Sequence, residues 1–356
     1  MYALIMAGGL GTRFWPKSRK KHPKQLLRID NEKTLIQNTI NRLQPLMPPE
    51  HIFIVSTKEQ IDEIHRQLPE IPKTNLIIEP KGKNTAPCIG LSALFMQQLD
   101  PEEVMLVLPA DHLITNNKEF INILRAGNKV AAEKENLVTI GIEPTFPATG
   151  YGYIQFNGEV ESLDGVEVFK VKTFAEKPNL ATAKRFVNSG DFLWNSGIFL
   201  WKIKTILSEI EEHLPHLYDG LMEIKKRLNS PKLNETINRV YCQIKSISID
   251  YGVMEYAKNV TVLKGEFGWN DLGSWDEVYN ICEKDKHKNV LIGRHLLKNS
   301  EGCFIDSPDK CVAVVGLNDL IVVNTDDALL ICPREKAQEV KDIVEMAKRK
   351  KMDEYL

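Results

Sequence analysis

The stretch YALIMAGGLGTRFWPKSRKKHPKQ, Tyr2 to Gln25, decides how the rest of the chain is read. Tyr2 to Ala7 is a short apolar run of the kind that forms a buried strand, and Gly8, Gly9 and Gly11 follow at once. Glycines there let the backbone bend sharply and bring its N–H groups against a ligand that a Cβ would hold off, and the ligand suited to such a concavity is a phosphate. Arg13, Lys17, Arg19, Lys20, Lys21 and Lys24 come next, in a chain whose net charge is −2, so this local positive charge calls for a local anion. Two other phosphate loops do not fit. A dinucleotide-binding GxGxxG starting at Gly9 needs glycine where Phe14 stands, and a Walker A loop needs glycine directly before Lys-Ser/Thr, where Pro16 precedes Lys17-Ser18. The bland alternative is a glycine turn with a solvated basic face; Thr12-Arg13 and the downstream Pro23-Lys24-Gln25 argue against it.

Outward from this loop, 356 residues leave room for one large domain and a smaller one, and 43% apolar content is ample for a core. No run reaches the roughly 18 to 20 consecutive apolar residues of a membrane span, and no charged leader precedes the first strand, so a cytoplasmic location with no membrane partner is expected. Cys88, Cys242, Cys282, Cys303, Cys311 and Cys332 are scattered, with no CxxC and no histidine at ligand spacing, which fits free thiols better than a zinc site. No long basic stripe lies beyond the first loop, which argues against a nucleic-acid partner.

Apolar spacing predicts a helix over Thr34–Leu43, followed by a strand at His51–Ser56, a helix marked by Ile61 and Ile64, and strands at Asn75–Ile78 and Val104–Leu108. That alternation is the βαβ rhythm of an α/β fold, a Rossmann-like, mainly parallel mixed sheet covered by helices. Ligands sit at the carboxyl edge of such sheets, which places Asp111 of Pro109-Ala110-Asp111-His112 beside the glycine loop. A carboxylate facing phosphates suits Mg²⁺, although a lone aspartate more often makes a turn or cap; the residues leave both open. The polar loop Glu79 to Pro87, ahead of an apolar helix at Cys88–Met96, either binds a base or phosphate or supplies Asn84 or Thr85 as the helix cap.

A helix at Lys118–Glu133 and a strand at Leu137–Ile142 complete this half, and period-two alternation from Val166 to Thr173 predicts an antiparallel excursion lining a second pocket. Gly150 and Gly152 flank Tyr151 and let a ligand near the backbone. Glu176 and Lys177 are either ligand groups or a surface ion pair. Asn195 stands inside the aromatic and aliphatic strand Phe192–Leu200, where a buried amide must be hydrogen-bonded and so serves a bulge or a ligand. Residues 202–245 read as polar helix without chemistry; Asp250 and Glu255 are open between structural and functional use. Asp271 lies in a glycine-bounded loop, Gly268 to Trp275. Beyond His287, short apolar runs beginning at 290, 303, 311, 320 and 328 predict a small β-helix-like unit closed by a helix over Glu335–Lys350. The expected domains are 1–285 and 286–356.

The pattern Gly8-Gly9-Leu10-Gly11-Thr12-Arg13-Phe14-Trp15-Pro16-Lys17-Ser18, with Pro23-Lys24-Gln25-Leu26, resembles the signature loop of the sugar-1-phosphate nucleotidyltransferases. Its Phe-Trp-Pro continuation looks most like the mannose-1-phosphate guanylyltransferase branch. Similar blocks at Glu79–Pro87, Pro109–His112, Glu176–Pro178, Asn195–Phe199 and Gly268–Trp275 follow in that family's order. The resemblance implies that Gly8, Gly9, Gly11, Thr12, Arg13, Lys24, Glu79, Asn84 and Thr85 bind the nucleotide, with Glu79 taking the guanine N1 and N2 protons. It places Gly150, Tyr151, Gly152, Glu176, Lys177 and Asn195 on the sugar phosphate, and Mg²⁺ on Asp111 and Asp271. Arg13, Lys24, Asp111, Lys177 and Asp271 would carry catalysis.

The implied reaction turns GTP and α-mannose 1-phosphate into GDP-mannose and pyrophosphate. The sugar phosphate's oxygen attacks the α-phosphorus in line, so no protein nucleophile is needed, and none of the Ser-His-Asp or Cys-His kind is legible. A homodimer is expected. Rival readings are another sugar 1-phosphate (glucose or heptose) or another base, and a regulatory subunit that binds nucleotide sugars without turnover. Loss of turnover should show as a missing Arg13, Lys24, Asp111 or Asp271, and all four are present. Small departures from the family pattern are Cys88, where a small residue is common, and Ala175 before Glu-Lys-Pro. Longer members of the family append an isomerase domain, which this sequence is expected to lack.

Overall fold

The computed structural model describes Met1 to Leu356 apart from Asp30 and Lys134, and apart from the side chains of residues 159–161. It divides into two compact units, one built from Met1–Gly8, Ile40–Ile61 and His65–Asn270, the other from Gly9–Thr39, Asp62–Ile64 and Asp271–Leu356. The strands of the first unit are β1 (Tyr2–Met6), β2 (Ile52–Thr57), β3 (Leu76–Glu79), β4 (Val104–Pro109), β5 (Leu113–Ile114), β6 (Leu137–Ile142), β7 (Tyr153–Leu163), β8 (Val166–Ala175), β9 (Phe192–Lys202), β10 (Val260–Gly265) and β11 (Trp269–Asn270). Those of the second are β12 (Val290–Lys298), β13 (Phe304–Val315), β14 (Leu320–Asn324) and β15 (Leu329–Pro333). The α-helices are α1 (Leu35–Leu43), α2 (Lys58–Gln67), α3 (Thr85–Gln97), α4 (Asn117–Glu133), α5 (Leu180–Ser189), α6 (Ile203–His213), α7 (Pro215–Lys225), α8 (Leu233–Gln243), α9 (Trp275–Ile281) and α10 (Val340–Arg349).

In the first unit nine strands form one mixed sheet in the order β3-β2-β1-β4-β9-β6-β10-β8-β7. The β3-β2-β1-β4 half is parallel, and its strands read as unbroken apolar runs because both faces are covered. Val104 to Leu108 are all buried, as are Ala3 to Ile5. Helix α3 is buried nearly all round and packs with residues of α6, α7 and α8 into one core that includes Trp201 and Tyr241. The expected antiparallel excursion is β7 and β8, joined at Asp164-Gly165, where both residues have positive φ. Three predicted ligand segments share one sheet edge. Met6 pairs with Pro109, Ala110 N donates to Met6 O at 3.1 Å, and β3 ends at Glu79, so Gly8, Glu79 and Asp111 all follow carboxyl ends of the parallel half.

In the second unit β12 and β13 pair in parallel, as do β13 and β14, while β15 returns antiparallel. The five short runs expected here are four strands, because the runs at 303 and 311 belong to one strand, β13. Its pairing with β12 continues across a register shift between Gly293 and His295. Gly293 makes this bulge possible: its φ is 92°, and a Cβ there would collide with the Ser307 carbonyl. The terminal helix also starts later than expected, since Arg334–Glu339 is 3₁₀ and α10 begins at Val340.

Gly293→Ala is therefore expected to cost at least about 2 kcal/mol, from the left-handed backbone and the clash together. Urea unfolding of the full chain measures it, and wild-type stability in that variant would mean the bulge does not depend on the glycine.

Candidate active site

The glycine loop belongs to the second unit from Gly9 onward, and its shape is set at Gly11. This residue is left-handed (φ 63°), and a Cβ on it would run into Lys24 Cβ. Its carbonyl accepts from Phe14 N at 2.9 Å and from Ser18 Oγ at 2.7 Å, closing a 3₁₀ turn over Thr12–Phe14. The loop thus folds back on buried Lys24, whose ammonium stands 5.4 Å over the Phe14 ring. Lys24 Nζ donates to the Asp271 carbonyl at 2.6 Å, and Arg13 Nη1 donates to the Gly273 carbonyl at 3.3 Å. Arg13 Nε is buried without a hydrogen-bond partner. Arg13, Lys24 and Asp271 are therefore brought together. Leu272 between the two carbonyls is buried at φ 48°, and Gly273 N donates to Glu277 Oε2 at 2.6 Å. Burial, followed by the charge of Asp271, pushes the Glu277 carboxyl up to about 7. Sequence reasoning passed over Glu277; its position two residues into α9, just after a glycine-bounded acidic loop, was the available signal.

The anion that the basic run called for is partly protein. Lys17 Nζ lies 2.5 Å from Asp306 Oδ2, Arg19 Nη2 lies 2.9 Å from Asp327 Oδ1, and Lys20 Nζ lies 3.5 Å from Asp353 Oδ1. Gly9 has open space where a Cβ would stand.

In the first unit Gly8 packs on Glu79, whose Oε1 would lie 3.2 Å from a Cβ on the glycine. Glu79 is buried, and the Tyr241 hydroxyl lies 3.3 Å from its Oε2 and 3.2 Å from the Pro87 carbonyl. Burial raises the Glu79 carboxyl from 4.5 to about 7 against the opposing Tyr241 hydrogen bond. Asn84 caps α3, its side chain accepting from Thr85 N at 2.9 Å, while its backbone (φ 68°, ψ −171°) occupies a region that is normally glycine's. Thr85 Oγ1 accepts from Ile249 N at 2.8 Å. Tyr241, in a helix read as free of chemistry, is the partner of Glu79 that the sequence concealed.

The residues expected at the sugar also converge within this unit. Asn195 N donates to Gly152 O at 2.8 Å, and a Cβ on Gly152 would stand 2.6 Å from Glu176 Oε2. Asn195 Nδ2 donates to Asp250 Oδ1 at 2.7 Å, and its Oδ1 accepts from Gly197 N at 3.0 Å, next to a register shift in the β6–β9 pairing. The amide thus serves both a bulge and an acid. Burial raises the Asp250 carboxyl, with the charge of Glu176 adding to it, and burial also raises Glu255, again with Glu176 beside it. Lys177 pairs with Glu176 and has φ 45°. Tyr151 stacks edge-on with Trp194 at 5.0 Å and Trp269 at 5.3 Å, while Gly150 has open space where a Cβ would stand. His112, beside Asp111, accepts from Trp269 Nε1 at 3.1 Å, which orients the indole.

The family profile described as Nucleotidyl transferase matches residues 2–288. A curated mannose-1-phosphate guanylyltransferase of Klebsiella pneumoniae is 38% identical over 355 residues, covering 99% of this chain and 75% of its own length. The chain belongs to the mannose-1-phosphate guanylyltransferase family. As a member of it the protein is a nucleotidyltransferase, and a second profile, the MannoseP isomerase/GMP-like beta-helix domain, matches residues 293–346. An Escherichia coli relative of the same name is 36% identical over 352 residues, covering 96% of this chain and 74% of its own. A solved Thermus thermophilus structure, named a mannose-1-phosphate geranyltransferase, superposes with a TM-score of 0.87 at 33% identity, covering 98% of this chain and 99% of that one.

A carboxyl held near 7 in the fold and near 4.5 in the unfolded chain favours folding most below pH 4.5, and that advantage is lost as pH rises through 7. Glu79→Gln should therefore remove about 2 to 3 kcal/mol of the fall in stability between pH 5 and pH 8. Urea unfolding of both proteins at the two pH values gives the difference; equal slopes would show that Glu79 ionises freely in the fold.

Proposed function

We propose that the protein transfers GMP from GTP to α-D-mannose 1-phosphate, releasing GDP-mannose and pyrophosphate. The observation that carries this reading is the joining of Arg13 and Lys24 to the backbone of the Asp271–Gly273 loop, which sets the glycine loop's cations beside an acidic loop. A phosphoryl transfer between two anionic substrates needs placement and charge neutralisation more than covalent chemistry. Gly9 leaves room for the nucleotide's phosphates, Gly8, Gly11 and Thr12 shape the loop that receives them, and Arg13 and Lys24 offset their charge. Glu79 accepts the guanine N1 and N2 protons, in the segment capped by Asn84 and braced through Thr85. Glu176 and Asn195 receive the sugar hydroxyls above Gly150, Tyr151 and Gly152, and Lys177 steadies the attacking phosphate.

Asp111 and Asp271 each offer the carboxylate oxygens that a hard divalent cation prefers. Asp111 and Asp271 would hold Mg²⁺. When bound, that ion would neutralise charge on the transferring phosphates. Among the described residues no helix is long and apolar enough to cross a membrane, and we place the enzyme in the cytoplasm as a homodimer with a catalytic domain at 1–285 and a β domain at 286–356.

Pyrophosphate release is the test, with GTP, ATP, UTP and dTTP crossed against mannose 1-phosphate and glucose 1-phosphate in the presence of Mg²⁺. Release should require GTP and mannose 1-phosphate and stop on chelation. Asp111→Asn and Asp271→Asn should each lower kcat/KM on the order of a hundredfold to a thousandfold. A protein that binds GTP yet releases no pyrophosphate with either sugar would overturn the assignment.

A further inference from the structure

The three carboxylates that meet the basic run differ in burial. The side chain of Asp306 is 5% exposed, whereas those of Asp327 and Asp353 are 50% and 76% exposed. Exposed pairs contribute little, but removing one member of a buried pair strands a charge. Asp306 sits on β13 opposite Val323 of β14, and its second oxygen, Oδ1, is buried with no hydrogen-bond partner. Lys17 is the counter-charge that meets this acid at its other oxygen.

Neighbouring loop residues are held by the same part of the unit. Trp15 Nε1 donates to Tyr355 O at 2.9 Å, and the Trp15 carbonyl accepts from Trp275 Nε1 at 3.1 Å. Trp275 lies 5.0 Å from the Phe14 ring and stacks at 5.5 Å on Phe304, two residues before Asp306 on the same strand. Lys17 is thus held directly by Asp306 of β13, while Phe14 and Trp15 are held by Trp275, which itself stacks on Phe304 of the same strand, and by Tyr355.

We propose that Lys17 and Asp306 are positioning residues for the nucleotide: the β12–β15 segment holds the glycine loop in its phosphate-binding shape and is part of the catalytic apparatus. This inference rests on the function proposed above and extends it to a segment that contributes no group to the phosphates. Lys17 acts through loop geometry, and a displacement of the loop by a fraction of an ångström moves Arg13 away from its target.

Lys17→Met/Asp306→Leu replaces the pair by apolar side chains, an exchange that buried ion pairs often tolerate without loss of stability. It should melt near the wild-type temperature yet raise the KM for GTP on the order of tenfold, with the KM for mannose 1-phosphate unchanged. Lys17→Arg, which keeps the charge, should retain the wild-type KM. GTP affinity measured by calorimetry should weaken in parallel with KM. A folded double variant with wild-type KM and GTP affinity would overturn the proposal; should it not fold, a charge exchange, Lys17→Asp/Asp306→Lys, decides by restoring or failing to restore GTP affinity relative to Lys17→Asp alone. If the wild-type enzyme releases no pyrophosphate, the functional reading fails on its own, and GTP affinity across the same variants still decides the role of the pair.

Discussion

No β-carbon fits between Gly11 and Lys24, and much of the candidate active site depends on that closeness. The glycine's left-handed backbone turns the loop onto the lysine stem, and the lysine head then reaches the Asp271 carbonyl. Arg13, two residues beyond the glycine, meets the carbonyl of Gly273, and the N–H of that same residue is held by Glu277. Two loops from opposite ends of the sequence are thereby aligned through backbone atoms. For a transfer in which the substrates bring their own nucleophile and leaving group, such alignment is the main thing a protein can supply.

Desolvated acids recur in the first unit, and their partners follow a pattern. Glu79 is met by a tyrosine hydroxyl and Asp250 by an asparagine amide, both neutral donors. A neutral donor fixes a carboxyl's orientation without quenching it as a cation would, and burial then decides how readily it ionises. Glu176 differs in being paired with Lys177, which places the lysine's charge next to acids otherwise held by uncharged groups.

Local chemistry made much of this legible. An unbroken apolar run such as Val104–Leu108 can hardly be other than an interior strand, and Leu137–Ile142 matches its strand end to end. Asn84 could be foreseen as a capping candidate because its side chain acts on the next residue, whereas the Thr85 hydroxyl meets Ile249 far along the chain. What escaped notice depends on distant packing. Tyr241 meets Glu79 only because α8 lies on the same core as α3, and nothing in the polar pattern of residues 202–245 marks it. Charge density in the basic run indicates that an anion is near, but not whether it is a ligand or Asp306 of the chain itself. Two apolar runs near the end were separated by Pro308 in the sequence, yet one glycine bulge allows a single strand to carry both.

Apart from Asp62–Ile64, the second unit is assembled from residues 9–39 and 271–356, with almost the whole first unit encoded between them. During synthesis the glycine loop leaves the ribosome ahead of nearly the whole first unit, and Gly273, Trp275, Asp306 and Tyr355 follow only after it. At roughly 5 to 20 residues per second the loop waits many seconds for the groups that hold it. The glycine loop is thus made well before the groups that secure it, so its final shape is set only after the first unit has been synthesised.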